Sequence, residues 1–172
     1  MIHSLTSTKY FSGCCITVII FSYTDVGINM QKVKPKILIA ENEKMIAINI
    51  KNSLHRMGCE VMEILGTGEE AIRKVKEEKP DLILMDITLG GSLDGIETAE
   101  IISSKYDIPV IYLTSYSDRE TLQRAKITEP YGYLIKPFDS REIEIAIEMA
   151  FIKRGVNFKD NPDQLLSTIY TN

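Results

Sequence analysis

Residues able to hold a hard cation and a phosphoryl group stand directly after short apolar runs in this 172-residue chain. Glu41, Asn42 and Glu43 follow Lys36–Ala40 (KILIA), and Asp86 and Thr88 follow Leu82–Met85 (LILM). Thr114 closes Val110–Thr114 and precedes Ser115, and Lys136 and Pro137 follow Tyr131–Ile135. Magnesium takes oxygen ligands, usually one or two carboxylates plus phosphate oxygens, and keeps several waters. A lysine ammonium supplies a point charge for phosphoryl oxygens. Each residue alone has an ordinary reading: an acid at a strand end is often a turn residue or helix cap, and Lys-Pro is a common surface turn. The ordered set, spread from Glu41 to Lys136, is what points to a site.

The segments between these residues carry helical periodicity. Ile46, Ile50, Leu54 and Met57 fall on one face of a helix predicted over Glu43–Met57, and Gly58 stops it. Cys59–Leu65 is a second strand, followed by a helix over Glu69–Glu78 with Ala71, Ile72 and Val75 inward. The Gly-rich loop Thr88–Gly95 leads into a helix over Ile96–Lys105, and another runs from Arg119 to Ile127. Asp139 or Ser140 caps a last helix reaching Lys153; counted from Ser140, a full capping box is missing because Ile143 holds its third position. Strand and helix alternating five times predicts an α/β fold, a doubly wound parallel sheet with helices on both faces. Continuously apolar strands fit burial on both sides. Ligands in such sheets bind at the carboxyl ends of the strands, where the residues above stand.

Composition narrows the function. Lys plus Arg number 20 against 24 Asp plus Glu, a formal charge of −4, so no basic field draws the chain to nucleic acid. The three cysteines, Cys14, Cys15 and Cys59, form neither a disulfide framework nor a zinc motif, and a reduced, cytoplasmic chain is expected. Residues 1–30 differ from the rest and are expected to be a weakly ordered extension. Their apolar run Cys14–Phe21 is shorter than the ~20 residues a membrane span needs.

The segments ILIAENE, LILMDITLGGSLDGIE, IPVIYLTSYSD and GYLIKPF, in this order, resemble the response-regulator receiver domain of two-component signalling, the chemotaxis-regulator kind. The resemblance covers about Lys34–Lys153, within a domain set at 31–154 and followed by a tail or linker over 155–172. It implies the flavodoxin-like five-stranded sheet, order 2-1-3-4-5. It further implies Asp86 as phosphoacceptor, Lys136 as phosphate-binding lysine, Thr114 as switch hydroxyl and Tyr133 as switch aromatic. Glu41, Asn42, Asp86 and the Thr88 backbone carbonyl would hold magnesium, the Lys136–Pro137 bond would be cis, and a sensor histidine kinase would be the donor. Such a protein catalyses its own phosphorylation and dephosphorylation but works mainly as a signalling switch.

Two departures from the family stand out. Asn42 occupies a position that is usually acidic, with Glu43 one place further on. The loop Leu89-Gly90-Gly91-Ser92-Leu93 replaces a Met-Pro pair, is about one residue longer, and is expected to be more mobile for its two glycines. Asn42 is the main support for an alternative, a docking-type receiver that is rarely phosphorylated. A phosphatase with an aspartate nucleophile would want Asp-x-Asp where this chain has Asp86-Ile87-Thr88. On the last helix, Ile143, Ile147 and Ala150 form one stripe, and Ile145, Met149 and Ile152 a second. The second stripe needs a cover: the chain's own extra segments, a second copy, or a kinase. No output-domain signature is visible after Lys153, as expected of a stand-alone receiver or one from a larger hybrid kinase.

Overall fold

The computed structural model of the chain describes residues 5–11, 14–20, 34–115 and 119–155. The chain divides into two compact units, residues 1–33 and 34–172. In the first, β1 (Leu5–Phe11) and β2 (Cys14–Ile20) pair antiparallel, Leu5 opposite Ile20 and Phe11 opposite Cys14. The second unit runs β3 (Lys36–Ala40), α1 (Lys44–Arg56), β4 (Glu60–Leu65), α2 (Gly68–Glu77), β5 (Leu82–Asp86), α3 (Gly95–Ser103), β6 (Val110–Thr114), α4 (Arg119–Ile127), β7 (Gly132–Ile135) and α5 (Ser140–Lys153). Its five strands are parallel, in the order β4-β3-β5-β6-β7. Counted within this unit that is 2-1-3-4-5, the sheet predicted from sequence.

Successive strand residues point to opposite faces, so each apolar run feeds two cores. Leu38, Ala40, Ile83, Met85 and Tyr112 pack with Ala71 and Val75 of α2 and Ile96, Ala99 and Ile102 of α3. Ile37, Ile39, Leu82, Leu84, Ile111 and Leu113 pack with Ile50 and Leu54 of α1 and Ile143, Ile147, Ala150 and Phe151 of α5. Ile46 and Met57 lie at the edge of this second core, as their spacing required. The three central strands β3, β5 and β6 are therefore clamped from both sides, which fixes where their carboxyl ends emerge.

Local signals set the helix ends. Gly58 takes φ +78° after α1, a conformation that suits glycine. The cap of α5 is Asp139: its carboxylate accepts from the Arg141 and Glu142 amides at 2.8 and 2.9 Å. Glu142 accepts from the Asp139 amide at 2.8 Å, so the capping box is complete when counted from Asp139. Asp94 and Glu97 make the same box on α3. Gly95, the first residue of α3, sits so close to β5 that an added Cβ would overlap the Asp86 carbonyl oxygen. The Lys136–Pro137 bond is cis.

Replacing Asp139 by alanine should lower unfolding stability by about 1 kcal/mol, and asparagine should recover most of it, since both side chains cap well. Urea unfolding of the three proteins checks this; an alanine variant as stable as wild type would remove the cap from the account.

Candidate functional site

Five chain segments converge on the carboxyl rim of the sheet. Glu41 follows β3 and is 2% exposed; its amide donates to the Leu65 carbonyl of β4 at 2.8 Å. Asp86 ends β5, pairs in the ladder with Leu113, and is 4% exposed. Thr114 ends β6, and its carbonyl accepts from the Lys136 amide at 2.7 Å, which seats Lys136 beside it.

Lys136 ties the acids together. Its ammonium lies 2.7 Å from Glu41 Oε2, 3.0 Å from Asp86 Oδ2 and 3.4 Å from Glu43 Oε1. The other Asp86 oxygen accepts from the Thr88 amide at 3.1 Å, and Glu41 Oε1 accepts from the Glu43 amide at 2.9 Å. Ligand oxygens of Glu41, Glu43 and Asp86 all lie within 4.8 Å of one another. That donor set is hard, anionic and compact, and it fits a magnesium-sized cation.

The electrostatics follow from burial. Loss of water lifts the Glu41 carboxyl above the usual carboxylate range, and the Asp86 charge adds to this; hydrogen bonds from Lys136 and the Glu43 amide only partly oppose it. Burial pulls the Lys136 ammonium down, but its bonds to Glu41 and Asp86 outweigh that and leave it raised. Three carboxylates thus share one ammonium, and the rim carries an excess of negative charge.

Of the residues singled out from sequence, Glu41, Asp86, Lys136 and the Thr88 backbone meet at one point. Asn42 sits beside it: its amide nitrogen donates to the Thr88 carbonyl at 3.2 Å. Glu43 completes the carboxylate cluster although it is the N-cap residue of α1. Spacing alone does not say which way a cap side chain points. Thr114 is buried on the same rim, 8% exposed. Tyr133 packs its ring on Tyr112, centroids 5.9 Å apart, and its hydroxyl is buried without a hydrogen-bond partner among the described residues. That burial also raises its pKa. The glycine-bearing loop after Asp86, expected to be more mobile, is anchored on its neighbours: the Gly90 amide donates to the Gly66 carbonyl at 3.0 Å, and the Ser92 amide to Glu69 at 3.0 Å.

Residues 37–148 match the family model described as the response regulator receiver domain. The transcriptional regulatory protein PdtaR of Mycobacterium tuberculosis is 36% identical over 115 residues, 67% of this chain and 56% of that protein. The alkaline phosphatase synthesis transcriptional regulatory protein PhoP of Bacillus subtilis is 32% identical over 121 residues, 70% of this chain and 49% of that protein. The chain thus spans about half the length of the curated relatives it matches. Among solved structures, the signal receiver domain of a modulated diguanylate cyclase from Desulfovibrio desulfuricans is 39% identical with a TM-score of 0.68, covering 72% of this chain and 98% of that one. The N-terminal domain of a response regulator/sensory box/GGDEF protein from Carboxydothermus hydrogenoformans is 38% identical, TM-score 0.64, covering 70% and 96%.

The Glu41 shift has a stability consequence. Its raised folded-state pKa means the folded protein binds that proton more tightly than the unfolded chain. The stability due to protonated Glu41 is complete below the ordinary carboxylate pKa and is lost as pH rises through the raised value. Above that raised value the ionised side chain therefore weakens the fold. In a chelator, Glu41→Gln should melt higher than wild type at pH 7, on the order of 3 °C, with the gap closing in acid. Thermal unfolding against pH checks this; an equal or lower melting point at pH 7 contradicts it.

Proposed function

Because the chain belongs to the response regulator receiver domain family, we propose that Asp86 is the phosphoacceptor of a two-component phosphorelay. The observation that carries this is the setting of its carboxylate: Lys136 3.0 Å from one oxygen and the Thr88 amide 3.1 Å from the other, at the mouth of the most completely buried part of the sheet. The donor is the phosphohistidine of a sensor histidine kinase. An Asp86 oxygen attacks phosphorus, the P–N bond breaks, and the imidazole leaves with the electron pair. Little covalent help is needed beyond alignment and charge neutralisation. Lys136, shared among carboxylates in the resting protein, meets the incoming phosphoryl oxygens, and the Thr88 amide orients the nucleophile.

Glu41, Glu43, Asp86 and the Thr88 carbonyl would hold magnesium, with Asn42 beside them; the cation, when bound, neutralises charge on the phosphoryl oxygens. Thr114 then closes on the phosphoryl group as the switch hydroxyl, with Tyr133 packed inward behind it, a local charge event biasing a two-state element. A cytoplasmic setting goes with this reading, and the free, buried thiol of Cys59, its pKa pushed up to about 11 by burial, is compatible with it. Among the described residues no helix is long and apolar enough to cross a membrane.

Partner recognition falls to the surface of β7 and α5. Ile135, Ile145, Met149 and Ile152 are 48–58% exposed, and a groove of about 350 Å³ runs between the strand and the helix. We read it as a self-association face. Such a surface uses anchors at spacings of three and four, as Ile145, Met149 and Ile152 provide.

With acetyl phosphate or phosphoramidate and magnesium, the wild type should label and Asp86→Asn should not, while remaining folded by circular dichroism. Labelling undiminished in Asp86→Asn removes Asp86 from the role. A wild type that never labels supports instead the docking receiver that Asn42 suggests. For the partner face, Met149→Glu combined with Ile152→Lys should give a monomer by sedimentation where the wild type associates; the same oligomeric state in both would dismiss it.

A further inference from the structure

Glu69 is the second residue of α2 and lies outside the set of strand-end residues. Its carboxylate nevertheless reaches the loop that leaves Asp86. One oxygen accepts from the Ser92 amide at 3.0 Å and also from the Ser92 hydroxyl. Gly91, at φ +91°, passes so close that an added Cβ would run into the same carboxylate. The loop thus lies against the Glu69 carboxylate, and its left-handed backbone at position 91 is what calls for glycine.

Thr88, at the start of this loop, matters most to the site. Its amide donates to Asp86 and its carbonyl accepts from Asn42. Between Thr88 and Ser92 lie Leu89 and two glycines. Free of its far anchor, that stretch would wander, and the direction of the Thr88 peptide with it. The Gly90 amide on Gly66 is a second anchor, and Gly66 belongs to the same turn that leads into α2.

We propose that Glu69 is a positioning residue for the Asp86 centre: by accepting from Ser92 it holds the loop so that the Thr88 amide stays on the nucleophile and the Thr88 carbonyl stays at the rim. This rests on the reading of Asp86 as a phosphoacceptor that works with magnesium. Two features support it. The Ser92 hydroxyl above all, then backbone amides that include those of Ser92 and Leu93, hold the Glu69 carboxyl below its ordinary value, so it is ionised at neutral pH and a strong acceptor. The tie also links residues 23 positions apart, so it bridges the first turn of α2 and the loop that leaves Asp86.

The test uses the full chain, magnesium chloride alone as probe, and two readouts: the magnesium dissociation constant by calorimetry, and amide hydrogen exchange at Thr88 in chelator. Glu69→Ala should weaken magnesium binding about tenfold, the scale seen when a group supporting a metal ligand is lost, and speed Thr88 exchange. Glu69→Gln keeps an acceptor oxygen for Ser92 and should stay within about twofold of wild type in both. A residue important only for stability would lower the melting temperature of Glu69→Ala without moving magnesium affinity. If Glu69→Ala is too unstable to study, Ser92→Ala, which loses the hydroxyl but keeps the amide, should show the same changes at smaller amplitude. Wild-type affinity and Thr88 exchange in Glu69→Ala would overturn the proposal, as would a Glu69→Gln variant as impaired as Glu69→Ala. If the wild type takes up no magnesium, the metal reading of Asp86 fails, and Thr88 exchange still decides the role of Glu69.

Discussion

The structure turns on one imbalance: three carboxylates gathered around a single ammonium at the rim of a buried sheet. Removing a carboxylate from water carries a large penalty that one good ion pair barely offsets. Here Lys136 serves Glu41, Asp86 and Glu43 at once. The fold tolerates this only because the rest of the domain is strongly apolar: Ile37–Ala40 and Leu82–Met85 are fully buried, and helices cover both faces. The same imbalance gives the rim its chemistry, since a site with surplus negative charge at close range is primed to accept a cation.

The strands were legible because a run buried on both faces has almost no polar residue in it, and the match between run and strand is close for β3, β5 and β6. The order of the site residues followed, because each stands where such a run stops. Glu43 joining the cluster was harder to read: its direction is set by the N-cap geometry of α1 and by the reach of Lys136 from the far end of the unit. The anchoring of the loop was illegible for a related reason. Two glycines signal backbone freedom, and only partners distant in sequence, Glu69 and Gly66, turn that freedom into one path. The pairing of β1 with β2 was weakly signalled, since Leu5–Phe11 carries Thr, Ser, Thr and Lys between its apolar ends and lacks a clear alternation.

Motion at Asp86 has a physical route outward. Gly95 presses on the Asp86 carbonyl, and its amide donates to Ile87 at 2.9 Å, so the first turn of α3 rests directly on the end of β5. Asp94 caps that turn and also receives Arg124 of α4 at 2.9 Å. The Arg124–Asp94 pair is partly exposed, and such pairs are worth about 0–1 kcal/mol, too little to enforce a state of α4 by itself. The seating of α3 on β5 is the stronger constraint, because interlocked packing admits discrete arrangements and resists small displacements. On the other side, Tyr112 and Tyr133 are ladder partners whose rings pack at a tilt of 33°, and the Tyr112 hydroxyl meets Thr128 just past α4 at 2.9 Å. Tyr112, in the middle of β6, thereby joins both β7 and the end of α4. Tyr133 packs against the α2–α3 side of the core through Tyr112, and its hydroxyl is buried without a hydrogen-bond partner among the described residues. Tyr133 itself lines the groove of the β7–α5 face where the exposed apolar side chains stand, so packing on its ring bears directly on that face.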